Sequence, residues 1–165
     1  MKHLIGSCCL ALVTLFTFSS NSYAQGLGER RAVAEYQESK FKQLKADIVA
    51  AAGFEVPVTV EWTKIALPGE SANYSQDGFW TNIYFVPLAG ALKAITKDEL
   101  GKSALKEKLK EISITFDEAT APASNYPNGI TFNAGKLIIN FKPWSNADDL
   151  KEREAAIQKV LEENL

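Results

Sequence analysis

Apolar positions recur along this chain with two periods, near 3.6 and near 2, and the switches between them divide it into elements. Over residues 29–52, Val33, Tyr36, Phe41, Leu44 and Ile48 fall on one broad face, while Glu35, Glu38, Lys42 and Lys45 lie off it. This predicts a long amphipathic helix, with Gly53 placed to end it in a left-handed cap. Val56, Val58, Val60 and Trp62 then alternate with Pro57, Thr59 and Glu61, the mark of a half-buried strand. Pro57 cannot donate to a ladder and suits an edge strand or a strand start. Residues 68–78 are turn formers without periodicity, hence a loop. Residues 79–86 are rich in aromatic and β-branched types and read as a strand, with a helix through Ile83 as the competitor.

Pro87 suits the first turn of a helix that carries Leu88, Leu92 and Ile95. Thr96-Lys97-Asp98-Glu99 has the spacing of a capping box, so a second helix is expected from there to about Lys110. Ile112, Ile114 and Phe116 alternate with Ser113 and Thr115 as a further strand, and 117–128 is a second loop. Two apolar runs then flank an Asn-Ala-Gly turn, which is a hairpin signal. Keeping the apolar pairs on one side sets Phe132 opposite Leu137 and Ile130 opposite Ile139, around a loop of two residues or four. Pro143 stops the hairpin's second strand. Ser145 or Asn146 is placed to cap a final helix whose Leu150, Ile157 and Leu161 form one stripe, the nearest cover for the hairpin. The expected fold is α+β: a single domain with a mainly antiparallel sheet of four to five strands, packed with the N- and C-terminal helices. The last three strands are expected as a meander, with the first and last helices on one face.

Composition changes the picture at the start of the chain. Lys2 and His3 form a short basic opening, an apolar run follows over 4–18, and Ser22 and Ala24 occupy the minus-three and minus-one places of a cleavage site. The pattern predicts a signal peptide at 1–24 and a mature domain at 25–165, periplasmic or secreted. The apolar run falls short of the roughly 20 residues that a membrane span needs. Ile5-Gly6-Ser7-Cys8 imitates a lipid-attachment box, but the apolar region follows Cys8 instead of preceding it. No later segment is apolar enough to span a membrane. With 18 Lys+Arg against 20 Asp+Glu, the chain has a net charge of −2 and no basic patch, which argues against a nucleic-acid partner.

Cleavage after Ala24 removes both cysteines, the one histidine and the one methionine. An imidazole base, a thiolate nucleophile and the usual ligands of zinc, copper, haem and iron–sulfur clusters go with them, so no cofactor is expected. Four arrangements survive. Ser39…Lys42 and Ser103…Lys106 match Ser-x-x-Lys, the signature of penicillin-recognising enzymes, but its companion motifs are missing. Asn73-x-Ser75-x-Asp77-Gly78 imitates half a calcium loop, yet Tyr84 stands where the bidentate acid belongs. A pair of carboxylates for glycoside hydrolysis needs a separation that a sequence does not give. Glu154, near the stripe of the last helix, reads as an edge residue reaching water or a lysine.

The fourth arrangement is an aromatic cluster around one polar loop. Tyr74, Phe79, Trp80 and Tyr84, with Asn73 and Asp77 to orient a ligand, form a candidate platform for a small molecule, a glycan or a protein. Trp62 and Trp144 end neighbouring elements. The competing use of these rings is to close the open end of the core. The reading from sequence is therefore an exported, non-catalytic binding or interaction module, which requires Trp80 to be partly exposed. The alternative is a carboxylate-dependent hydrolase of the cell envelope.

Overall fold

The computed structural model of the protein describes residues 25–165. The signal peptide expected at 1–24 lies outside them. Helices α1 (Leu27–Tyr36) and α2 (Lys42–Ala52) make up the N-terminal helix, joined through a π-helical turn at Gln37–Phe41. The apolar spacing explains that turn. Tyr36 and Phe41 are five residues apart, one more than α geometry keeps in line, and an i→i+5 turn absorbs the extra residue. Val33, Tyr36 and Ile48 are buried, with Phe41 and Leu44 packed against the same core. Gly53 ends α2 at φ 75°, where a side chain would be strained.

Strand β1 (Val58–Val60) is shorter than the alternation predicts, because Trp62 opens a one-turn helix, α3 (Trp62–Ile65). The main departure follows. Residues 79–86 do not form a strand: a π-helical turn at Thr81–Phe85 runs into α4 (Val86–Ile95). Phe79, Trp80, Ile83, Tyr84 and Phe85 are all buried, so this segment passes through the interior. A short apolar run suits a buried helix as well as a buried strand, and packing here overrides the β preference of its residues. The next helix, α5 (Glu99–Lys108), is capped by Asp98, whose carboxylate accepts from the Gly101 amide at 2.9 Å. Thr96 is not the cap; its hydroxyl donates to the Ala51 carbonyl at the end of α2, at 2.7 Å.

Strands β2 (Glu111–Thr115), β3 (Ile130–Asn133) and β4 (Lys136–Asn140) complete one open sheet in the order β1-β2-β4-β3. The β1–β2 and β2–β4 pairs are parallel, and only β3–β4 is antiparallel. The fold is thus α+β with a mixed four-stranded sheet, which corrects the mainly antiparallel expectation. The hairpin register is as the sequence sets it, Phe132 opposite Leu137 and Ile130 opposite Ile139, with Ala134 and Gly135 as the turn. The meander is not formed, because β4 rather than β3 lies beside β2. The stretch 116–129 is long enough to carry the chain past β4, and parallel neighbours need a connection of about a dozen residues or more. Pro57 precedes an edge strand, as its missing donor requires.

Helix α4 lies between α2 and α6 (Leu150–Glu162), so the N- and C-terminal helices pack on α4. Ile112, Ile114, Leu137 and Ile139 of the sheet share one apolar core with Leu88, Leu92, Ile157 and Leu161 of the helices. Neither Ser145 nor Asn146 caps α6; Asp149 precedes it, and its carboxylate accepts from the Tyr126 hydroxyl at 2.7 Å. The carbonyls of Ser145 and Asn146 instead accept from the buried Arg153 guanidinium, which lies over the Tyr126 ring at 4.5 Å.

Candidate functional site

The aromatic loop is not an open platform. Tyr74, Phe79, Trp80 and Tyr84 each have a relative exposure of 0%, and only Asn73 and Asp77 of the six expected residues reach the surface. This corrects the expectation of a partly exposed Trp80. Its indole N–H donates to the Ile65 carbonyl at 3.0 Å, and its ring meets Tyr36, Trp62, Tyr74 and Phe79 at centroid distances of 4.5–5.3 Å. The Tyr84 hydroxyl donates to the Phe141 carbonyl at 2.6 Å. Burial pushes the Tyr74 phenol up to about 12 and also raises the Tyr36 and Tyr84 phenols well above their ordinary value. These rings close the end of the core, with the polar tips of Tyr74, Trp80 and Tyr84 each donating to a backbone carbonyl.

The other sequence candidates resolve individually. The Lys40 ammonium takes the Ser75 carbonyl at 2.8 Å and the Asp77 carboxylate at 2.5 Å, the latter the one charged ligand of the calcium-like sequence. Among the described residues, no three His, Cys, Asp or Glu side chains gather as a metal site. The Ser39 hydroxyl donates to the Glu35 carbonyl at 2.7 Å, and Ser103 and Lys106 lie on an exposed helix face. Glu154 lies across Gly90, with one oxygen accepting from Lys151 at 2.9 Å, which is the lysine-paired edge residue expected.

One opening lies on the opposite side of the sheet. In each strand, alternate residues point away from the core. Ser113, Ile138 and Thr131 form one row across β2, β4 and β3 on that face, beside Thr115 and Asn140. With Glu61 and Lys64 as one wall and Asp117, Thr120 and Asn128 as another, they enclose a cleft of about 470 Å³. Glu61, Asp117 and Asn140 stand at the carboxyl ends of β1, β2 and β4, the end where open parallel sheets hold their ligands.

No family model, curated protein or solved structure matches the chain. The cleft therefore has to be read from its own geometry.

Its charged groups are already engaged. Lys64 pairs with Glu61 at 2.7 Å, and Lys136 pairs with Glu111 at 3.0 Å. The Thr115 hydroxyl also donates to Glu61. The Lys64 and Thr115 hydrogen bonds hold the Glu61 carboxyl below the usual carboxylate range. Asp117 accepts from the Ala119 amide at 3.1 Å and from the Thr120 hydroxyl at 2.9 Å. The Asn140 amide is fixed between the Asp117 N–H, 2.9 Å, and the Thr120 hydroxyl, 3.0 Å. Among the described residues, no hydrogen bond reaches the side chains of Ser113, Asn128 or Thr131, although Ser113 is only 7% exposed. Sequence reading missed this site because it treated 117–128 as a bare loop. The available signal was a polar residue at or just past the carboxyl end of β1, β2 and β4, which gains meaning only once these strands are known to be parallel.

Proposed function

We propose that the protein is a non-catalytic binding module whose ligand occupies the sheet-face cleft. The observation that carries this reading is a pre-formed concavity whose rim side chains are locked by hydrogen bonds while neutral hydroxyl and amide groups stay free. Pre-organised polar groups lower the ordering cost of binding. Hydrolysis by a carboxylate pair is disfavoured, since it requires one acid kept protonated, and Glu61 is shifted the other way. The basic, apolar and small-residue order at 1–24 supports work outside the cytoplasm; intact mass of exported protein should correspond to a chain starting at Gln25, and retention of Met1 would count against it.

Ligand-observed magnetic resonance against neutral, anionic and cationic small molecules tests the binding reading. Saturable binding should be lost in Ser113→Trp, which fills the cleft, and the ligand should be recovered unchanged. Recovery of cleaved fragments, or binding indifferent to that substitution in a folded variant, would refute it.

A further inference from the structure

Resting on the cleft as the ligand site, we infer that its ligand is a neutral carbohydrate, held with one ring face against Ile138. The groups left free in the cleft decide its class. Both ammonium groups are paired with carboxylates, Lys64 with Glu61 and Lys136 with Glu111. Among the described residues lining the cleft, an entering anion would find no unpaired cation and would face the Glu61 and Asp117 carboxylates, so complementarity of charge rejects it. An entering cation would find Glu61 already neutralised by Lys64, and Asp117, which no lysine pairs, with its oxygens engaged by the Ala119 amide and the Thr120 hydroxyl. The free groups are neutral: the hydroxyls of Ser113 and Thr131 and the amide of Asn128.

Their placement fits a ring that is apolar on its faces and polar around its edge. Ser113, Ile138 and Thr131 are directly cross-strand neighbours in one row. With strands about 4.8 Å apart, the two hydroxyls stand roughly 10 Å from each other with Ile138 between them. A pyranose laid on Ile138 places C–H groups over the isoleucine and directs equatorial hydroxyls toward Ser113 and Thr131. Ser113 is the stronger determinant. The residue has a relative exposure of only 7%, and its hydroxyl, free of protein partners among the described residues, opens into the cleft where a ligand hydroxyl reaches it. A peptide added as a strand would use an unpaired backbone edge, whereas the row lies on the side-chain face and its central strand is paired on both sides. Among the described residues, no aromatic ring lines the cleft. Affinity therefore rests on hydrogen bonds and shape, and it belongs to the weak, fast-exchanging range.

Amide chemical-shift mapping tests this with maltotetraose, cellotetraose and the tetramer of N-acetylglucosamine as neutral probes, and with inorganic phosphate and acetate as anionic ones. At least one tetrasaccharide should shift the amides of Ser113, Thr131 and Ile138 saturably. Ser113→Ala should weaken that binding about tenfold, while Thr131→Trp abolishes it with the rest of the spectrum unchanged. Shifts at these residues with phosphate or acetate, and none with any sugar, would overturn the carbohydrate assignment while leaving the cleft as a binding site. Sugar shifts confined to other surfaces, or no probe acting on the cleft, would overturn both.

Discussion

Trp80 and Arg153 show at the residue scale how little a side chain's type says about its use. Trp80 has the composition of a recognition residue and the position of a core plug. Trp80→Ala should cost about 3–5 kcal/mol in denaturant unfolding, the range for a buried aromatic truncation. An equally stable variant would put the indole outside the core. Arg153 is a cation with 1% exposure, its guanidinium tied to two backbone carbonyls and lying over Tyr126. Its Nε is buried with no partner among the described residues, and burial lowers the pKa of the group. The two charge-assisted hydrogen bonds and the ring contact outweigh that orphan donor. The carbonyls they hold belong to a stretch in which Trp144 and Asn146 both have left-handed backbones, at φ 55° and 50°. Arg153→Leu should therefore destabilise by about 2 kcal/mol. Arg153→Lys should not restore that loss, because an ammonium cannot match the planar fork; full rescue by lysine in thermal melts would contradict the clamp.

The hairpin is the element in which sequence and structure agree most closely. Period-2 alternation has one register that buries Ile130, Leu137 and Ile139 together, and a slip by one residue would expose all three. The two-residue turn follows from that register. Ala134 and Gly135 both have positive φ, at 49° and 83°, as a tight hairpin turn requires. Glycine adopts this freely, but alanine is strained there. Ala134→Asn should raise stability by about 0.5–1 kcal/mol, since asparagine tolerates the left-handed region. The melting temperature is the readout, and a fall would mean that the turn is held differently. The segment 79–86 fails where the hairpin succeeds. Only Asn82 and Val86 reach the surface, and Val86 is apolar, so no repeating polar position marks the period, and strand and helix leave the same trace.

Four of the five tyrosines lie among the described residues, and at the scale of the whole molecule they set its alkaline limit. Tyr36, Tyr74, Tyr84 and Tyr126 are all raised above the ordinary value of 10.0, first of all by burial. The fold favours the protonated phenol. The resulting stability is fully present below pH 10 and is lost as pH rises past 10 toward the folded-state values, about 12 for Tyr74. Phenolate absorbance should therefore rise together with the loss of near-ultraviolet dichroism, in one cooperative step above pH 10. Phenolate formation complete near pH 10 in a protein with native dichroism would show that these hydroxyls are open to solvent.

By itself the sequence determined what depends on near neighbours along the chain. The apolar face of the first helix, the left-handed stop at Gly53 and the hairpin register all follow from the local period and backbone chemistry. Tertiary structure alone decided what depends on distant partners. Whether β3 or β4 lies beside β2 is settled by the path of 116–129 and by which face the helices cover, and neither leaves a local pattern. The cleft exists only because that order is parallel: Glu61, Asp117 and Asn140 are separated by dozens of residues in the chain and meet because three strands end on one side. A polar residue after a strand looks the same in sequence whether it meets solvent alone or walls a site. The free energy that distinguishes the two lies in contacts across the sheet, beyond the reach of any local pattern.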